Sequence, residues 1–159
     1  MTTLDAVRDH LVRALDWGEA HVTVDKAVDG IPADKRGARP PGFGHSPWQL
    51  LEHVRIAQED IYDFCSDANY RHTKKWPEDY WPADAAPSDA NAWTASLASY
   101  ASVREKMKAM IRTVDDLTAK VPTGKATQTY LRAILLVVDH TAYHAGQIVA
   151  IRRALGIWP

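Results

Sequence analysis

The chain has one cysteine, Cys65, so it can form no internal disulfide and cannot build a metal site from thiolates. Any metal would rest on histidine and carboxylate. Charge of one sign is just as scarce: 19 Lys plus Arg stand against 20 Asp plus Glu, a formal net charge of −1, and no stretch sustains either sign. That removes the basic stripe by which nucleic-acid binders grip phosphate, so no nucleic-acid partner is expected. The longest apolar run, AILLVV, is far shorter than a bilayer demands. The opening residues, MTTLDAVRDH, carry charges where a signal peptide would be apolar. The expectation is a cytoplasmic protein with no membrane partner.

What is present is ordinary globular material, 46% hydrophobic and 25% charged. A chain of 159 residues is expected to form one domain over 1–159, burying roughly 68–70% of the surface of the unfolded chain. Its periodicity is helical. Leu4, Val7, Leu11, Ala14, Leu15, Gly18 and Val22 fall at steps of three and four, predicting a first helix over residues 3–27. Asp29-Gly30 and Pro40-Pro41-Gly42 then break regular structure. Ser46-Pro47-Trp48-Gln49 supplies an N-cap hydroxyl, a proline preset for the first helical turn and a Gln able to bond back to the cap. A second helix is predicted from Ser46 to about Cys65, with Leu50, Leu51, Val54, Ala57 and Ile61 on its stripe.

A third helix is predicted from Ser88 or Asp89 to about Val114, and a fourth over 129–155, closed by Gly156. Residues 131–138 are apolar nearly all round and are expected in the middle of the structure. No strand pattern and no internal repeat is visible. The fold class is therefore all-α, a four-helix bundle with a long loop between its second and third helices that permits a crossover connection. That loop, residues 67–87, holds three prolines, two tryptophans and two tyrosines. Long loops in compact domains tend to be lids or binding loops, and the segment between Trp76 and Trp81 is expected to help cover a site.

The chemistry lies in the histidines. His140 and His144 stand one turn apart on one helical face, directly after the apolar run, and neutral imidazole is a common ligand for transition metals. Spacing alone is weak, because seven histidines yield about 0.3 such pairs by chance. Burial strengthens the reading, since two buried imidazoles need a metal or hydrogen bonds to offset desolvation. Thr141 stands beside His140, where the zinc-peptidase pattern requires Glu. His53, near the apolar stripe of the second helix, is the candidate third ligand. Three protein ligands leave coordination positions for water or substrate.

Asp139, Gln49, Asp60 and Gln147 can orient imidazoles or touch a bound molecule, with a surface position as the plainer reading of each. His10, His45 and His72 read as solvated, Glu52 and Glu59 as facing water, and His21 as able to face the bundle interior. Cys65 reads as a small buried residue. No side chain stands out as a protein nucleophile, so the catalytic residues are unassigned.

The segments VVDHTAYHAGQIVAIRRALGIWP, HSPWQLLEHVRIAQEDIYDF and KWPEDYWP together resemble the DinB-like (DinB/YfiT) superfamily of bacterial four-helix proteins. The resemblance spans nearly the whole chain and is most specific in the combination of one histidine on the second helix with the pair on the fourth. It implies an up-down-down-up bundle and a divalent metal, often nickel or zinc, held by His53, His140 and His144. It also implies either a transferase using a low-molecular-weight thiol or a metal-dependent hydrolase acting on a small molecule. A metal-binding or stress-response bundle without turnover is the alternative, and a purely structural bundle whose histidines satisfy one another is a third reading. A homodimer is also expected.

Overall fold

The computed structural model describes residues 2–159. Five α-helices make up its regular structure: α1 (Thr3–Ala14), α2 (Val24–Val28), α3 (Pro47–Ser66), α4 (Ala90–Thr113) and α5 (Tyr130–Ala154). Short 3-10 turns at Ala33–Lys35 and Glu78–Tyr80 interrupt the connecting segments. No strand occurs among the described residues, where Lys120 and Thr129 form an isolated antiparallel bridge. The fold is all-α.

The helix starts follow local chemistry. Ser46 accepts from the Gln49 amide while the Gln49 side chain accepts from the Ser46 amide, and Pro47 opens α3. Asp89 caps α4 through the Ala92 amide, and Thr129 caps α5 through the Arg132 amide. Gly156 ends α5 with φ +68, a conformation that costs glycine little.

The expected first helix is divided. α1 stops at Ala14, and a separate short helix begins after Thr23, whose hydroxyl accepts from the Lys26 amide. A Cβ on Gly18 would meet the Thr23 methyl at 3.3 Å and the His21 carbonyl at 3.4 Å, so the chain folds back closely there. Helical spacing through Gly18 and Val22 did not reflect one continuous face. The break also leaves His21 exposed, not turned into the bundle.

α3 packs against α4 and α5, α1 leans on α4, and α2 lies against α5. Leu50, Leu51 and Val54 of α3 join Trp93 and Tyr100 of α4 and Ile148 and Ile151 of α5 in one core. Leu11 and Val12 of α1, with Leu15 just past its end, join Met107, Ile111, Ile134 and Val137 in a second. Each fully buried Leu or Ile contributes about 1.5–3 kcal/mol relative to exposure. Arg152, buried near the end of α5, donates to the Ala27 carbonyl at 2.8 Å and ties α2 to that helix.

α5 departs from expectation in its first half. Ala133, Ile134 and Val137 are buried, but Leu135 is 50% and Leu136 41% exposed. Neighbouring helices cover only one side of this stretch, so an apolar sequence all round does not make a helix central. By length and composition alone α5 is apolar enough to cross a membrane. In this fold it serves as a core helix, with Ile134, Ala145, Ile148 and Ile151 among its buried positions.

Ser46 does two jobs, because its hydroxyl also donates to the Ala85 carbonyl and anchors the loop before α4. Ser46→Ala is expected to lower stability by about 1–2 kcal/mol, read as a lower urea midpoint with an unchanged slope. A midpoint equal to wild type would show that neither bond contributes.

Candidate metal centre

His53 sits on α3, 2% exposed, and faces His140 and His144 across the packed interface with α5. His140 Nε2 lies 3.0 Å from His53 Nε2 and 3.1 Å from His144 Nε2. All three candidate ligand atoms fall within 4.8 Å of one another. The residues singled out in the sequence are thus brought together, with ring nitrogens converging on one point.

The outward nitrogens fix the proton positions. His53 Nδ1 lies 2.9 Å from the Tyr80 carbonyl, and His144 Nδ1 lies 2.6 Å from Gln147 Oε1. A carbonyl oxygen only accepts, so both Nδ1 atoms donate and carry the proton, leaving both Nε2 atoms as bare lone pairs aimed inward. His140 can offer one N–H to the two of them. Three neutral rings therefore cannot fully satisfy one another, and the donor set suits a cation. Metal–nitrogen bonds of about 2.1 Å at the tetrahedral angle would hold two nitrogens about 3.4 Å apart, a few tenths of an ångström beyond the two short separations found.

Electrostatics keeps the rings neutral. Burial, then the proximity of His144 and His53, pulls the His140 pKa down to about 3. Burial outweighs the bond to Gln147 and brings His144 to about 4. His53 is also lowered, chiefly by burial, against the opposing pull of the Tyr80 carbonyl. Neutral imidazole is the form that binds metal.

The aromatic loop lies over the site. Trp81 stacks on His53 with centroids 3.8 Å apart and planes within 3°. His45 stacks on the opposite face of Trp81 at 3.7 Å. Trp76 stands 6.3 Å from the His53 ring, and Tyr143 stands 5.0 Å from His144. The loop is held by Asp60, which is buried and accepts from the Tyr80 hydroxyl at 2.5 Å, the Tyr70 hydroxyl at 3.1 Å and Lys74 Nζ at 3.0 Å. Gln49 reinforces it by donating to the Pro82 carbonyl at 3.0 Å.

The four secondary candidates therefore divide by role. Gln147 orients an imidazole directly. Asp60 and Gln49 are buried and act on the loop, not on a ring, so the surface reading fails for both. Asp139 is exposed, and its side chain makes no hydrogen bond among the described residues.

Other expectations also change. His45, read as solvated, is partly covered by its stack on Trp81. Glu52, read as facing water, has a side chain only 13% exposed and is engaged by Arg55 and the Ser96 hydroxyl, because α4 packs against that side of α3. Glu59 retains 44% side-chain exposure beside Arg55. His10 and His72 are exposed, although His72 Nδ1 also lies 3.1 Å from the Tyr70 hydroxyl. Cys65 is buried, and burial pushes its thiol pKa up to about 12, which removes it as a nucleophile. Sequence reasoning placed the segment between Trp76 and Trp81 over a site through its aromatic density, but missed the contact of the Tyr80 main chain with His53 and the stack of His45, which precedes α3, on Trp81.

In the metal-free protein His140 and His144 take up protons only near pH 3 and 4, whereas in the unfolded chain histidine does so near 6.5. Between those values the unfolded state binds more protons, so stability declines as pH falls, by up to about 1.4 kcal/mol per pH unit for each ring. Urea unfolding at neutral pH and at about pH 5 should show a larger loss for the metal-free wild type than for His140→Gln/His144→Gln. Equal losses would mean that these rings titrate normally. Comparison with curated proteins finds no match. The family model described as the DinB superfamily matches residues 17–148, a span that contains all three clustered histidines, and the chain belongs to that superfamily.

Proposed function

We propose that the protein is a metal-dependent enzyme in which His53, His140 and His144 hold a divalent cation, nickel or zinc, and that it transfers a group to or from a low-molecular-weight thiol. The observation that carries this reading is the pair of Nδ1-tethered rings whose bare Nε2 atoms converge on a point shared with His140. Such a cation supplies Lewis acidity and lowers the pKa of a coordinated thiol or water. Three protein ligands leave room for one of these.

The chain's own residues do the rest. Tyr80 and Gln147 hold two rings in the ligating tautomer. Trp81 covers one face of His53 and restricts water there. Thiol chemistry is favoured over hydrolysis because the cluster holds no carboxylate, and Asp60 is committed to Tyr80, Tyr70 and Lys74. A thiol starts from a pKa of about 8.5 and water from about 15.7, so without a side-chain base a coordinated thiol needs the smaller shift to give its proton to solvent at neutral pH.

Protein purified without a histidine tag should contain roughly one equivalent of divalent metal per chain, and His144→Ala should lose most of it. Gln147→Ala, which keeps all three rings, is expected to weaken metal affinity about 10- to 100-fold. The loaded protein is then assayed with bacterial thiols plus alkylating electrophiles and, in parallel, with ester and amide substrates. Absence of stoichiometric metal would defeat the reading. Turnover of esters or amides alone would replace transfer with hydrolysis, and turnover of neither would leave a metal-binding protein without catalysis.

A further inference from the structure

The helices that carry the three clustered histidines, α3 and α5, also border a cleft beside them that those histidines do not line. Leu136 lies one turn before His140 on α5, and Asp60 lies two turns beyond His53 on α3. Together they border a cleft of about 430 Å³, within the range of small-molecule sites. Ile61, Phe64 and Leu136 give it an apolar wall, while Lys125 and Arg132 stand on its lining away from the rings. Leu136, left exposed because no helix covers that side of α5, lies in this wall.

The polar lining is asymmetric. Asp60 is surrounded by the Tyr80 and Tyr70 hydroxyls and Lys74, so its charge is already matched. Lys125 and Arg132 are exposed, and neither side chain has a carboxylate or hydrogen-bond acceptor among the described residues. Exposed cations without partners are common. These two share one cleft with Asp60, whose bond to the Tyr80 hydroxyl ties that cleft to the residue that orients His53.

The backbone at this end offers no competing anion site. The Tyr130 amide bonds to the Ala119 carbonyl, Leu131 to Leu117, and Arg132 to the Thr129 hydroxyl. Lysine and arginine charge on the lining comes from these two side chains alone. Arg132 precedes His140 by eight residues, about 12 Å along the helix axis at 1.5 Å per residue. A ligand of several carbons can span that distance once the reach of the arginine is subtracted.

We propose that this cleft binds the body of the substrate, and that Arg132 and Lys125 select a small molecule whose far end is anionic, a carboxylate or a phosphate ester. Its middle is apolar and its reactive end reaches the three histidines. The placement of that reactive end rests on the reading of the rings as a metal site. The preference for an anion rests on the cleft alone.

The test uses the full chain, both metal-free and loaded with cobalt(II), and three probes that share a thiol at one end: mercaptohexanoate, mercaptohexyl phosphate and the neutral mercaptohexanol. Titration calorimetry at low salt should show at least one anionic probe binding about fivefold tighter than the alcohol in both protein forms, with the preference shrinking at about 0.5 M salt. The preference should vanish in Arg132→Gln/Lys125→Gln, while affinity for the alcohol stays the same. Neither substitution removes a side-chain bond that the fold uses. Whichever anion is preferred identifies carboxylate or phosphate recognition. Equal affinity for charged and neutral probes, or a preference that survives the double substitution, overturns the proposal. A protein that takes up no cobalt would defeat the metal reading instead, and its metal-free cleft would still decide the anion preference.

Discussion

A carbonyl oxygen accepts a hydrogen bond and cannot donate one, and the Tyr80 carbonyl 2.9 Å from His53 Nδ1 turns that fact into the organising constraint of the site. It puts the proton on the outer nitrogen and the lone pair on the inner one. Gln147 imposes the same order on His144. Because Tyr80 belongs to the loop between α3 and α4, the loop is part of the site and not merely a cover. Its hydroxyl is held by Asp60, on the same helix as His53. The chain therefore leaves α3, loops out, and returns to orient a ring that α3 itself supplies.

Much of this architecture was legible in residue order. Ser46-Pro47 and Gln49 announced the start of α3, and that start sets where along α3 His53 lies. The pair His140 and His144 needed only a helix to share a face. Tyr80 was illegible because it acts through its main chain, which every residue possesses, and its partner depends on the path of the loop. Gln49 and Asp60 were noticed as polar residues on a helix. Their roles could not be assigned because their partners, Pro82, Tyr70 and Tyr80, lie in a segment without periodicity.

Periodicity also says which residues share a face, but not whether anything covers that face. Leu135 and Leu136 extend an apolar run yet remain half exposed, while Glu52 breaks a stripe yet lies between α3 and α4. In the first case no helix packs on the apolar side. In the second, Arg55 and Ser96 supply the bonds that make burial of a carboxylate tolerable. The division of the first helix has a related cause: spacing through Gly18 continued the pattern, while the Thr23 hydroxyl offered the backbone a fresh start.

The buried polar groups around the rings otherwise find partners. Gln49 reaches Ser46 and Pro82, Gln58 reaches the Tyr100 carbonyl, and Asp60 accepts three bonds. Loose packing therefore does not explain why two inward lone pairs share at most one proton from His140. Local consistency tends to be broken where a protein performs its function. Here the break is built by the same hydrogen bonds that order the rings, since releasing the Tyr80 or Gln147 contact would free a ring to turn its proton inward and relieve the conflict. A fold that instead holds both protons outward keeps electron pairs together in a space where burial already disfavours protonation, a donor set that could hold a cation.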